Sequence, residues 1–186
     1  DATRQEMAAQ RAGVCIGFRP GSSALRFNSS DELGVRQNSS KVVPLHNPQD
    51  PDGWHALTYE KELGFRRARR IDVWIDGDIQ IDATFQDTAA QPTGERQAIH
   101  EYSLHVSADA ETMVIKSIKA TPHVLPFPEC PNAIENIHKM IGRPVGEMRT
   151  AVLEEFAKVN GCTHLNDCMR SIAEVPAMIE ALRKRL

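Results

Sequence analysis

The sequence predicts an α+β fold, an antiparallel β-meander of about four strands covered by C-terminal helices. Three observations predict it. Apolar and polar residues alternate with period two from Ile71 to Thr121, apolar spacing turns helical after Cys130, and the strands precede the helices in the chain.

Residues 1–13 read as a short helix that Gly13 stops. From Phe18 to about Phe65 the chain is rich in turn formers: Pro-Gly-Ser-Ser at Pro20, Asn-Ser-Ser-Asp at Asn28, and Asn-Pro-Gln-Asp-Pro-Asp-Gly at Asn47. A loop of that length in a compact domain is expected to be either mobile or a functional cover, and in a homodimer to wrap the partner. The expected organisation is therefore an irregular extension over 1–65 and an α+β core over 66–186. The run Arg66-Arg67-Ala68-Arg69-Arg70 reads as a solvated lead-in to the first strand.

Ile71, Val73 and Ile75 alternate with polar residues, Gly77-Asp78 supplies a turn, and Ile79, Ile81, Ala83 and Phe85 resume the alternation, a strong hairpin signal. Ile99–Ser107 forms the third strand and Thr112–Thr121 the fourth, with Asp109-Ala110-Glu111 turning between them. Pro122, Pro126, Pro128 and Pro131 are expected to end strand structure. Pro131 suits the first turn of a helix carrying Ala133, Ile134, Ile137 and Ile141 on one stripe, stopped by Gly142. A second helix spans about Val145 to Val159 with Met148, Val152, Phe156 and Val159 inward. A third starts at Thr163 as N-cap, with Leu165, Met169 and Ile172 inward, and Pro176 restarts it.

Lys plus Arg is 22 and Asp plus Glu is 25, a net charge of −3, which argues against a nucleic-acid surface. No stretch approaches the roughly 18 apolar residues of a membrane span. The four cysteines are scattered without a C-x-x-C, so reduced thiols in the cytoplasm are expected. There is no G-x-G-x-x-G, G-x-x-x-x-G-K or G-x-S-x-G, which removes support for nucleotide-dependent and ordinary serine-hydrolase chemistry.

Parity assigns polar residues to faces. His100 and Tyr102 share theirs with Leu104 and Val106 and point inward; His105 points to solvent. Asp87 lies one step past Phe85 on the inward face. A carboxylate, an imidazole and a phenol thus gather at one end of the covered sheet, where burial and pairing tune a general base. Gly161-Cys162-Thr163-His164-Leu165 places a thiol and a second imidazole at a helix start. Cys130, Cys162 and His164 also make an acceptable zinc set, though at nonspecific spacing.

The Arg-Arg-Ile-Asp strand, Phe-Gln-Asp-Thr at Phe85, Ile-His-Glu-Tyr-Ser-Leu-His-Val at Ile99, Pro-Phe-Pro-Glu-Cys-Pro at Pro126 and Gly-Cys-Thr-His-Leu at Gly161 together resemble bacterial domain-of-unknown-function family 2889, over about residues 66 to 182. The resemblance implies Asp87, His100, Cys130, Cys162, Thr163, His164 and Leu165 as the family's positions. It also implies proteobacterial proteins encoded among genes for aromatic carbon sources.

The expected function is a lyase for an aromatic catabolic intermediate, without cofactor or metal. It cleaves a carbon–carbon bond by acid/base chemistry and releases a small aldehyde such as formaldehyde. His100 is the expected base, Asp87 its orienting partner, Tyr102 an oxyanion donor and His164 a second polar anchor. Trp54, Tyr59 and Phe65 are expected to close over the ring, with Cys130 and Cys162 lining the site. The expected partners are a small aromatic molecule and a second copy in a homodimer, with neither nucleic acid nor membrane. The alternatives are a non-enzymatic module that holds an aromatic or acyl compound, and a zinc-stabilised interaction module.

Overall fold

The computed structural model of the chain describes residues 6, 9–26, 40–41, 45, 47–54, 64–90 and 93–185. Four long strands form the meander: β2 (Phe65–Asp76), β3 (Asp78–Ala90), β4 (Arg96–Ala108) and β5 (Ile115–Val124). A two-residue strand, β1 (Ser40–Lys41), pairs with Gln97 and Ala98 of β4, on the same edge of β4 that further along carries β5. Every pairing is antiparallel.

The first hairpin forms as expected, with Ile75 opposite Ile79 and Ile71 opposite Ala83. Gly77 alone makes its tip at φ +66°, a backbone region that a side chain disfavours. The strands run further than the alternation suggests. β2 starts at Phe65, so the arginine run is strand rather than lead-in. β5 starts three residues late because Asp109 Oδ1 accepts the backbone N–H groups of Glu111 and Thr112, holding a turn there. It then passes through Pro122, which an edge strand tolerates because the missing N–H faces no partner.

The helices pack on one sheet face. They are α1 (Met148–Glu155), α2 (Thr163–Ser171) and α3 (Val175–Arg183), with an eleven-residue 3₁₀ helix over Cys130–Met140. Ile79, Ile81, Phe85, Leu104 and Val106 from the sheet bury against Met140, Met148, Val152, Phe156, Leu165, Met169, Ile172 and Ile179. Two inward assignments fail. The tighter 3₁₀ winding turns Met140 into the core and leaves Ile141 48% exposed. α1 ends at Glu155, and the following turn, with Lys158 at φ +55°, carries Val159 outward. Cys162, not Thr163, is the N-cap of α2. Among the described residues no helix is long and apolar enough to cross a membrane.

Candidate functional site

The site lies where β3 and β4 meet α2. Asp87 stands opposite His100 across the β3–β4 ladder. The next pair is Thr88 with Ala98, so Ile99 is an extra residue, a bulge of the kind that re-aims side chains beside active sites. Asp87 is fully buried. Its carboxylate accepts two hydrogen bonds from Arg67, Nε to Oδ1 and Nη2 to Oδ2, both at 2.8 Å. Such a fork fixes both oxygens and offsets the burial of the charge. Arg67 also lies over the Phe85 ring, 4.9 Å from its centroid, and reaches Asp167 of α2 at 3.8 Å.

Two imidazoles complete the cluster. His100 Nδ1 and His164 Nε2 each stand 3.6 Å from Asp87 Oδ2. The rings stack, centroids 3.4 Å apart and 17° between planes. Burial pushes the Asp87 carboxyl up, but His100, Arg67 and His164 outweigh it, and the group sits below the ordinary carboxylate range. Two imidazolium charges 3.4 Å apart repel by about 5 kcal/mol at an effective dielectric of ~20. The side chains of His100 and His164 remain 13% and 22% exposed, and that of Arg67 45%.

The chain around His164 is shaped by close contacts. A Cβ on Gly161 would fall 2.6 Å from the Phe156 carbonyl oxygen, so only glycine fits before Cys162. Asn166 Nδ2 donates to that same oxygen at 2.9 Å, pinning the first turn of α2. His164 Nδ1 then lies 3.8 Å from Cys162 Sγ.

A match to the family described as "Protein of unknown function (DUF2889)" covers residues 65–178, the whole sheet except β1 together with most of the helices. The chain belongs to this family. No curated protein and no solved structure matches it.

Of the family positions read from the sequence, Asp87, His100 and His164 come together in space, and Cys162 touches His164. Tyr102 is inward and fully buried, but its hydroxyl lies among thiols. Burial first, then Cys162, Cys130 and Cys15, push that phenol far above its usual range, so it acts as a neutral core group behind His164. Cys130 and Cys162 are buried too, at 4% and 1% exposure, and line the core rather than an open surface. Trp54 borders a groove of about 620 Å³ on the other sheet face, with Asp82, Thr84, Glu101, Ser103 and His105, away from Asp87. There His105 is exposed, as parity predicts, and bonds Asp82 at 2.7 Å. Phe65 is 61% exposed and two residues from Arg67 on the same face, at the edge of the cluster. Tyr59 lies outside the described residues.

Arg67 and Asp167 are the site residues that sequence reasoning missed. The signal for Arg67 was present, since Arg67 and Asp87 are each ten positions from Gly77 and so face one another once the hairpin tip is fixed. For a metal, Asp87, His100 and His164 are the one set among the described residues whose donor atoms all lie within 4.8 Å of one another. The set Cys130, Cys162 and His164 does not converge that way, which removes the geometric basis for a zinc-stabilised module.

Proposed function

We propose that this protein is a carbon–carbon lyase for a small aromatic compound, working by proton transfer at Asp87, His100 and His164. The observation that carries the proposal is a buried, ionised Asp87, clamped by Arg67, with two partly open imidazoles against one oxygen. A carboxylate so held orients and charges an imidazole base, and a second imidazole alongside can return the proton.

In the reaction, His100 takes the hydroxyl proton of a hydroxymethyl side chain. The O–H electron pair becomes the C=O bond of formaldehyde. The carbon–carbon bond breaks, and its electrons pass to a carbon conjugated with the aromatic system, which is then protonated from the imidazole stack. R–CH₂OH becomes R–H and H₂C=O, so atoms and electrons balance without an oxidant. Phe65 offers an exposed ring beside the cluster for the substrate's own.

The test is incubation of the purified chain with hydroxymethyl-bearing aromatics, read by mass spectrometry. Paired appearance of the shortened aromatic and formaldehyde supports lyase activity; unchanged substrate across the panel contradicts it.

A second reading is a non-enzymatic module that holds an aromatic compound. What favours it is the groove beside Trp54, which offers one aromatic wall and many hydrogen-bonding groups apart from the imidazoles. Binding that Trp54→Ala abolishes and His100→Ala leaves intact would select it.

A further inference from the structure

The donor atoms of Asp87, His100 and His164 all lie within 4.8 Å of one another, close enough to share one ion. Arg67 meets Asp87 at 2.8 Å, whereas both imidazole nitrogens stand off the same carboxylate at 3.6 Å. An ion 2.0–2.2 Å from each of two ligands, in tetrahedral arrangement, separates those ligands by about 3.3–3.6 Å. We propose that Asp87, His100 and His164 form a binding site for a divalent first-row transition-metal ion of the zinc type.

Four features shape the site. Two imidazoles and one carboxylate suit zinc, iron or manganese far better than calcium or magnesium, which take oxygen ligands. Three protein ligands leave at least one position free for water or a substrate atom. Arg67 supplies the outer hydrogen bonds that a ligating carboxylate needs, and Arg67 and Asp167 tie β2 to α2, which carries His164. The guanidinium charge opposes the cation's, but the Arg67 side chain is 45% exposed and solvent screens it. The affinity accordingly falls below that of a closed structural zinc site.

The stacked rings direct their in-plane lone pairs side by side, so loading requires them to turn out of the stack. His164, at the first turn of α2, is the more exposed of the two rings. Occupancy converts the imidazoles from proton carriers to ligands. The inference rests on the site proposed above but not on its reaction.

The experiment uses the full chain, stripped with a chelator and dialysed, then titrated with Zn²⁺ by calorimetry and with Co²⁺ by absorption. One Zn²⁺ per chain is expected, weakened at least ~100-fold in His100→Ala and in His164→Ala. Circular dichroism serves as the check on folding. Co²⁺ in the wild-type chain should show ligand-field bands of a nitrogen/oxygen site, without the near-ultraviolet charge transfer that thiolates give. That measurement needs no variant, so it stands even where a substitution fails to fold. Absence of binding, a thiolate spectrum, or undiminished binding in both variants overturns the metal site. None of these outcomes touches the acid/base lyase, which is tested separately by aldehyde release from the apo protein.

Discussion

Asp87 and His100 face one another across β3 and β4 at the step where the β4 bulge interrupts the ladder. The bulge follows this pair, and His164, from the first turn of α2, reaches the same carboxylate oxygen. Arg67, from the neighbouring strand, is the counter-charge that lets Asp87 stay ionised inside the protein.

That dependence is measurable. Arg67→Ala leaves a buried carboxylate without its fork, and stability should fall by about 2–3 kcal/mol, less than for a fully buried pair because the guanidinium is half exposed. Arg67→Lys should restore only part of this, since an ammonium cannot make the two parallel bonds. Urea denaturation of the three proteins checks both, and equal stability of Arg67→Ala and wild type would contradict the clamp.

Gly161 controls where α2 starts. Gly161→Ala puts a methyl group against the Phe156 carbonyl and should destabilise the chain by about 1–3 kcal/mol. The shift should also move His164, visible as a change in its ring resonances. Unchanged stability and unchanged resonances would show that the contact yields freely.

The N-terminal segment should come away in acid. Burial raises the Glu129 carboxyl, but the Ser23 N–H and hydroxyl, bonding its two oxygens at 2.8 and 2.7 Å, together lower it below its ordinary value. Its stabilisation is therefore present above the unfolded value of ~4.3 and lost as pH falls through the lower folded value. Protection of the Ser23 amide, its rate relative to intrinsic exchange, should be lost over that range in the wild type. Glu129→Ala, which removes the acceptor of both bonds, should exchange quickly and without that pH dependence. A wild-type rate that simply follows intrinsic exchange would contradict the tie.

The thiols should be silent in the native state. All four cysteines are buried, and burial pushes Cys130 and Cys168 up to about 12. Ellman's reagent should label none of them quickly at neutral pH, and all after unfolding. Fast native labelling would overturn that burial.

Strand parity made much of the site legible beforehand. Period-two alternation placed Asp87, His100 and Tyr102 on the covered face because a half-buried sheet repeats every second residue. Helical spacing missed Ile141 and Val159 because the chain winds as 3₁₀ or turns there, and apolar periodicity does not report pitch to that accuracy. His164 was marked by its helix start, yet its stack on His100 needed α2 to be docked, a tertiary fact. Arg67 was obscured by its own neighbours: in a run of four arginines, composition suggested solvent while register assigned one of them to Asp87. Trp54 went astray because no local pattern says which sheet face a loop covers.

The lyase assignment meets its sharpest test in formaldehyde released from a hydroxymethyl aromatic, quantified by chemical trapping for the wild type and for His100→Ala. Wild-type protein should yield one formaldehyde per aromatic product. His100→Ala, with an unchanged circular dichroism spectrum, should be slower by at least ~100-fold. Equal rates for the two proteins would contradict the role given to His100, and no formaldehyde from either would contradict the lyase itself.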